Sequence, residues 1–239
     1  MTLVDDFSEY VAALDDYNGR LADDYFDHIH SPTGLIARSS PKGPSAPDTS
    51  LSSTSLDHGP QVAPQTHFLA GDSSGGNMVH NVAQRWASMS AASPPIRLRL
   101  AGAIMIQPFF GGEEQTEAEM VFEKASRIIT IVRADHYWRE FLPEGATRDH
   151  PVVRVCGDGV ELAEAFPPAM VVVGGFDLLK DWHARYVETL RRKGKVVRVV
   201  ECRDAFHGFY AFPELADSGK LIEDMKLFVD EHRSKHSLL

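Results

Sequence analysis

The feature that most constrains the fold is a short apolar run that ends in a hexapeptide of small residues. Residues 67–70 read HFLA, and residues 71–76 follow as GDSSGG. The apolar run is typical of a buried strand, and we expect a helix over residues 77–90. Glycine permits the sharp turn that so short a connection requires. The pattern therefore predicts a strand–turn–helix unit.

The alternation of strands and helices continues through the rest of the sequence. Further strands are predicted at residues 100–107 (LAGAIMIQ), 169–174 (AMVVVG) and 196–201 (VVRVVE). Further helices are predicted at residues 134–141, 179–193 and 220–232. A run of valines suits a strand that is buried on both faces. Strands separated by helices indicate βαβ units, so we expect an α/β fold with a mainly parallel sheet and helices on both faces.

The N-terminal 65 residues do not follow this alternation. Residues 1–30 have the pattern of an acidic amphipathic helix with four apolar residues roughly on one face: Phe7, Val11, Leu14 and Tyr17. Residues 31–66 are rich in Ser, Pro, Gly and Thr and lack a period, which predicts a long loop or disorder. We therefore expect an atypical, poorly ordered segment over residues 1–65 and a folded domain over residues 66–239.

Composition and charge limit the environment and the partners. The 239 residues are 43% apolar and carry a formal net charge of −10, which argues against nucleic acid or an anionic membrane as a partner. No run approaches the about 20 apolar residues of a membrane span, and the acidic start lacks a secretory signal. Cys156 and Cys202 belong to no metal-ligand cluster and fit a reducing compartment. We expect a cytoplasmic protein, with the nucleus left open; the oligomeric state is not predicted.

The glycine- and serine-rich turn also fits the pattern G-x-S-x-G, with Ser73 as its central residue. This spacing puts a serine on a strained turn, where its hydroxyl stands above the edge of the sheet. The N–H of Ser74 would then point at an oxyanion, beside the positive end of the helix. A glycine-rich turn that binds phosphate or nothing is the alternative. The position between a strand and a helix favours Ser73 as a nucleophile.

Two residues that follow later strands can complete a catalytic triad. Asp177 comes just after the third predicted strand, and His207 follows the fourth. Because the carboxyl ends of parallel strands meet at one edge of a sheet, both would lie near Ser73. Asp181 is a competing acid, and the alternatives are a helix N-cap aspartate and a surface histidine. The triad predicts ester hydrolysis through an acyl-enzyme, without a cofactor or a metal.

Four blocks of the sequence resemble one family and occur in the family's order. They read FLAGDSSGGN, IQPFFGGEE, GGFDLLKDWHARYVETLRRKGK and HGFYAFPE, and the likeness extends over about residues 66–233. The sequence resembles the plant carboxylesterases of the hormone-sensitive-lipase type, relatives of the soluble gibberellin receptors. The resemblance implies an α/β-hydrolase fold, a catalytic domain over residues 66–239 and hydrolysis of small acyl or aryl esters. It also implies that Ser73, Asp177 and His207 match the family's triad.

The N-terminal third departs from this family. The family carries an HGGG-type loop whose N–H groups supply most of the oxyanion hole, and the 239-residue sequence contains no such motif. Residues 58–60, HGP, are a poor substitute because proline has no N–H. The family's early strands also lack a counterpart, so we expect a sheet without some N-terminal strands. Ser74 is then the one oxyanion donor that a motif supports, and weakened activity is expected.

Three other functions remain open from the sequence. A gibberellin-receptor-like binding protein is the first. In the resembled family, the receptors have an apolar residue in place of the catalytic histidine. The presence of His207 therefore favours an esterase. A catalytically weakened, truncated paralogue is the second alternative, and a peptidase of the same fold is the third.

Overall fold

The computed structural model describes residues 65–92 and 98–234. Within these ranges the strands are β1 (Gln65–Asp72), β2 (Leu98–Ile106), β3 (Ala169–Gly174) and β4 (Val197–Cys202). The helices are α1 (Ser74–Ala92), α2 (Glu117–Phe122), α3 (Ile131–Phe141), α4 (Lys180–Arg192) and α5 (Ala216–Ser234), with a 3₁₀ turn at Phe209–Ala211. None of the helices within the described ranges is long and apolar enough to cross a bilayer.

The four strands form one sheet in the order β1-β2-β3-β4, and every neighbouring pair is parallel. β1 pairs with β2 over its whole length, with a bulge between His67 and Phe68. Each strand is separated from the next by at least one helix, which is the usual form of a parallel crossover. The predicted α/β fold with a parallel sheet is confirmed.

Side chains of the central strands alternate between two apolar layers. Met105 of β2 and Val171 of β3 face the layer that contains residues of α1 and α4. Ile104 and Val172, their neighbours in sequence, face the layer that contains residues of α5. Alternation with apolar residues on both faces is the pattern of a strand buried in an α/β sheet. Helices therefore cover both faces of the sheet, as predicted.

The structure corrects the predicted start of the first strand. β1 begins at Gln65, so Gln65 and Thr66, predicted to belong to the long loop, pair with Leu98 and Arg99 in the sheet. The prediction was wrong for these two residues because the β-branched Thr66 continues the strand register. The predicted helix over residues 1–30, the loop over residues 31–64 and the proposed lack of N-terminal strands all fall outside the described residues.

His80 on α1 makes stability depend on pH. Its Nδ1 lies 2.8 Å from the Tyr186 hydroxyl, and burial lowers the pKa of His80 from 6.5 to about 4. The folded chain keeps a neutral imidazole, while the unfolded chain takes up a proton below about pH 6.5. The contribution of His80 to the free energy of unfolding is therefore fully present above pH 6.5 and is lost as the pH falls toward 4. At about 1.4 kcal/mol per pH unit, the loss is about 3 kcal/mol.

Chemical denaturation of the parent and of His80→Gln between pH 7 and pH 4 measures this contribution. Glutamine can still accept a hydrogen bond from Tyr186 but does not titrate in this range. We expect the free energy of unfolding of the variant to fall less steeply with decreasing pH. Equal slopes for the two proteins would contradict the assignment to His80.

Candidate active site

Ser73 lies between the end of β1 and the start of α1. Its φ of 48° is left-handed, a conformation that residues other than glycine adopt rarely. The Ser73 N–H donates to the carbonyl of Ile106 at 2.9 Å, and the Ser73 carbonyl accepts from the Phe109 N–H at 2.8 Å. The segment at the end of β2 therefore fixes this strained residue from both sides.

Glycines on either side of Ser73 make the turn possible. A Cβ on Gly71 would lie 2.4 Å from the carbonyl oxygen of Gly75, and a Cβ on Gly76 would lie 2.9 Å from Cα of Pro108. Both obstacles are backbone atoms, which cannot move aside as a flexible side chain can. The close approach explains the first glycine of G-x-S-x-G and the glycine that follows the motif. At Gly75, the second glycine of the motif, a Cβ would meet nothing closer than 4.0 Å.

His207 lies in the loop after β4 and contacts Ser73. Its Nε2 is 2.9 Å from Ser73 Oγ, and its Nδ1 is 3.0 Å from Oδ2 of Asp177. An ionised carboxylate can only accept, so Nδ1–H donates to Asp177 and leaves Nε2 to accept from the serine hydroxyl. Asp177 and His207 are buried, whereas Ser73 is partly exposed. The structure thus brings the three predicted residues into one hydrogen-bonded chain.

Asp177 occupies the turn between β3 and α4, and its second oxygen is also bonded. Oδ1 accepts from the Leu179 N–H at 2.9 Å, and Leu179 itself holds the N-cap position of α4. Burial by itself would raise the pKa of Asp177, but the charge and hydrogen bond of His207 outweigh it and lower that pKa overall. The competing acid Asp181 instead accepts from the Ala118 N–H at 2.8 Å.

Ser74 is the first residue of α1, so its N–H has no acceptor within the helix. This placement suits an oxyanion donor, and that role of Ser74 stays a prediction.

Gly111 and Gly112, which follow β2, pack closely against two tryptophans. A Cβ on Gly111 would lie 3.1 Å from Nε1 of Trp138, and one on Gly112 would lie 2.5 Å from the Trp182 ring. Glycine at these two positions therefore allows the loop to pack against the tryptophan rings.

Aromatic residues lie on both sides of His207 in sequence, and their contacts differ. Phe206 and Phe212 meet edge to face, with ring centroids 5.3 Å apart. Phe209 is fully buried in the apolar layer beside α5. The Tyr210 hydroxyl donates to Oδ2 of Asp72 at 2.8 Å, which ties the histidine loop to the residue before the serine. The sequence did not predict this polar link.

Two buried side chains near Asp177 and His207 were missed from the sequence. Gln107 bonds the backbone of both residues that flank His207. His183 on α4 donates from Nε2 to the carbonyl of Pro108 at 2.9 Å, while its Nδ1 has no partner. Burial lowers the pKa of His183. No local motif distinguishes either side chain from an ordinary strand glutamine or helix histidine.

Groups of His, Cys, Asp and Glu that could hold a metal ion are absent from the residues that the structure describes. Cys156 and Cys202 are buried free thiols. Burial raises the pKa of the Cys156 thiol, and it raises that of Cys202 to about 11. Both thiols therefore stay protonated at neutral pH, which suits packing better than nucleophilic chemistry.

Comparison with known sequences identifies relatives of two kinds. The gibberellin receptor GID1C of Arabidopsis thaliana is 39% identical over 165 residues, which cover 68% of this chain and 46% of the receptor. Probable carboxylesterase 6 of the same plant is 39% identical over 115 residues, covering 48% of this chain and 33% of the relative. The chain spans about half the length, or less, of these curated relatives.

Comparison with solved structures finds esterases of the same fold. A fungal esterase from Rhizomucor miehei matches with a TM-score of 0.59 at 21% identity, covering 70% of this chain and 52% of that chain. Esterase LipW from Mycobacterium marinum matches with a TM-score of 0.57 at 20% identity, covering 68% and 49%. A family model described as alpha/beta hydrolase fold matches residues 44–211. The predicted resemblance is confirmed, and the chain belongs to the α/β-hydrolase family.

Proposed function

We propose that this chain is a serine carboxylesterase that hydrolyses small acyl or aryl esters. The observation that carries the proposal is the continuous hydrogen-bonded chain from Asp177 through His207 to Ser73, with distances of 3.0 and 2.9 Å. These are distances at which a base can take a proton from a nucleophile without further movement. The partner implied is a small-molecule ester.

The reaction follows from this geometry. Nε2 of His207 takes the Ser73 proton as Oγ attacks the ester carbonyl carbon, and the imidazolium is stabilised by the Asp177 carboxylate. The tetrahedral intermediate collapses, the alcohol leaves with the proton from His207, and an acyl-serine remains. Water then attacks the acyl group with His207 again as base, and the acid is released. The Ser74 N–H is the donor assigned to the oxyanion in both steps.

The pKa of Asp177 supports this assignment of roles. It lies below its usual range, so the side chain is ionised at neutral pH and can stabilise a neighbouring cation. The bond from Leu179 occupies Oδ1, which leaves Oδ2 for the histidine. The acid is thus held in one orientation toward the base.

The direct test is covalent labelling and turnover by the purified 239-residue chain. A fluorophosphonate reacts with an activated serine, and mass spectrometry of the digested protein locates the adduct. We expect one adduct on Ser73 together with hydrolysis of p-nitrophenyl acetate. Labelling at another residue, or neither labelling nor hydrolysis, would overturn the proposed function.

The leaving group should control turnover steeply, because one motif-supported donor serves the oxyanion. Losing an oxyanion donor costs about 10²–10³-fold in kcat. Activated aryl esters need less oxyanion stabilisation, so p-nitrophenyl acetate should be hydrolysed at least about 10²-fold faster than ethyl acetate. A series of acetate esters with alcohols of increasing pKa, compared by kcat/KM, measures the dependence. Similar rates across the series would contradict a hole with a single donor.

A receptor-like binding function is the second candidate. Four gibberellin receptors are among the relatives, at 36–39% identity over 68–71% of this chain. Titration calorimetry of a gibberellin into Ser73→Ala tests binding without turnover. Saturable binding would favour this function over the esterase if the parent chain also fails to hydrolyse p-nitrophenyl acetate and fails to react with a fluorophosphonate.

A further inference from the structure

Gln107 immediately follows β2 and is an unusual residue for that position. Its amide side chain is fully buried, and its φ of 43° is left-handed although it is not glycine. Its backbone N–H donates to the carbonyl of Val172 in the neighbouring strand at 3.1 Å. A strained, buried polar residue is retained only where the surrounding structure fixes it, and such residues concentrate at functional sites.

The Gln107 side chain bonds the backbone on both sides of His207. Nε2 donates to the carbonyl of Phe206 at 2.9 Å, and Oε1 accepts from the Gly208 N–H at 2.8 Å. One amide therefore supplies a donor and an acceptor to the two peptide groups that flank the base. Gly174 leaves the necessary space, since a Cβ there would lie 2.4 Å from Nε2 of Gln107.

The nucleophile and the base are held from adjacent residues of one strand end. The Ile106 carbonyl accepts from the Ser73 N–H, and the next residue, Gln107, holds the loop of His207. Two adjacent residues, Ile106 and Gln107, thus hold the backbone of the serine and the backbone around the histidine. Gly208 has a φ of 85°, so this loop contains a left-handed turn that glycine favours.

We propose that Gln107 is a positioning residue that keeps Nε2 of His207 within hydrogen-bond distance of Ser73. The inference rests on the proposed hydrolase function. Asp177 sets the orientation of the imidazole ring, whereas Gln107 sets the position of the backbone that carries it. Displacing a catalytic group by about 1 Å can cost about 10²-fold in rate, so the amide matters although it contacts neither substrate nor Oγ.

Gln107→Leu tests this role, because leucine places an apolar side chain in the buried position but supplies neither hydrogen bond. We expect kcat on p-nitrophenyl acetate to fall by about 10²-fold with KM changed by less than about threefold. The matched control is Thr189→Val on α4. Thr189 is also fully buried and bonds two backbone groups, accepting from the Gly157 N–H at 3.0 Å and donating to the Arg185 carbonyl at 2.8 Å. Its loss should leave kcat unchanged.

Gln107→Glu gives a readout that a merely structural role would not move. When protonated, the introduced carboxyl can donate to the Phe206 carbonyl and accept from the Gly208 N–H, as the amide does. When ionised, it places negative charge against that carbonyl and loses the donor. The ratio of kcat for the variant to kcat for the parent should therefore be highest at low pH and fall as the pH rises. Parallel pH profiles would contradict the proposal.

A second measurement separates this inference from the proposed function. The proton that His207 Nδ1 donates to buried Asp177 is expected to give a far-downfield NMR resonance, which disappears when the contact becomes mobile. If Ser73→Ala retains full hydrolysis, the proposed function fails, and Gln107 is judged by this resonance alone. Loss of the signal in Gln107→Leu but not in Thr189→Val supports the positioning role. A retained signal together with kcat within about threefold of the parent overturns it.

Discussion

Ser73→Ala should abolish ester hydrolysis while the fold survives. Removing Oγ removes the atom that forms the acyl-enzyme, and loss of a serine nucleophile costs about 10⁴–10⁶-fold in kcat. The backbone bonds of Ser73 to Ile106 and Phe109 do not involve the side chain, so the turn should persist. Hydrolysis of p-nitrophenyl acetate under saturating conditions, with thermal unfolding recorded in parallel, measures both effects.

Ser88→Ala on α1, the helix that begins after Ser73, is the matched control. Ser88 is exposed and donates to the Gln84 carbonyl at 2.9 Å, away from the triad in sequence and in bonding. This variant should keep the parental rate. Hydrolysis by Ser73→Ala at the rate of Ser88→Ala would show that another group is the nucleophile.

The convergence of Ser73, Asp177 and His207 could be predicted because parallel strands impose a simple geometry. Ser73, Asp177 and His207 each follow the end of a strand, and in a parallel sheet those ends share one edge. Apolar runs locate the strands, so the positions of side chains that follow them are available from the sequence. The bond from the Leu179 N–H to Oδ1 of Asp177 could not be predicted, because it depends on the path of a turn.

Gln107 could not be predicted for the opposite reason. The pattern assigns it to the end of an apolar strand, where a polar residue is commonly read as the start of a loop. Its partners, Phe206 and Gly208, are about a hundred residues away in sequence. Its left-handed φ also cannot be predicted from the sequence, because the residue is not a glycine. Long-range bonds between a side chain and a backbone are invisible to local periodicity.

Helix α2 was missed although a local signal exists. Thr116 and Glu119 form a capping box, in which the Thr116 hydroxyl accepts from the Glu119 N–H and Oε2 of Glu119 accepts from the Thr116 N–H at 2.7 Å. The helix has six residues, too few to establish an apolar period. The C-terminal ends of the other helices were predicted to within two residues, whereas α1, α3 and α5 begin three or four residues earlier than predicted. Gly194, for example, has a φ of 68° just after α4, as expected of a terminating glycine.

Asp177→Asn should lower kcat by about 10⁴-fold with little change in the fold. The Leu179 N–H needs an acceptor, so the oxygen of the asparagine amide stays on Leu179 and its NH₂ group faces the histidine. Nδ1 of His207 must then accept instead of donate. The imidazole proton moves to Nε2, which can no longer take the proton from Ser73. The variant also lacks the negative charge that stabilises the imidazolium.

Asp181→Asn is the control, because Asp181 is the competing acid and lies in the first turn of α4. It bonds the Ala118 N–H, a contact that an asparagine oxygen can preserve, so kcat should stay within about threefold of the parent. Comparison of kcat for the two variants on p-nitrophenyl acetate decides between the acids. A large loss in Asp181→Asn with a small loss in Asp177→Asn would transfer the role to Asp181. The bond between Asp177 and His207 would then be structural.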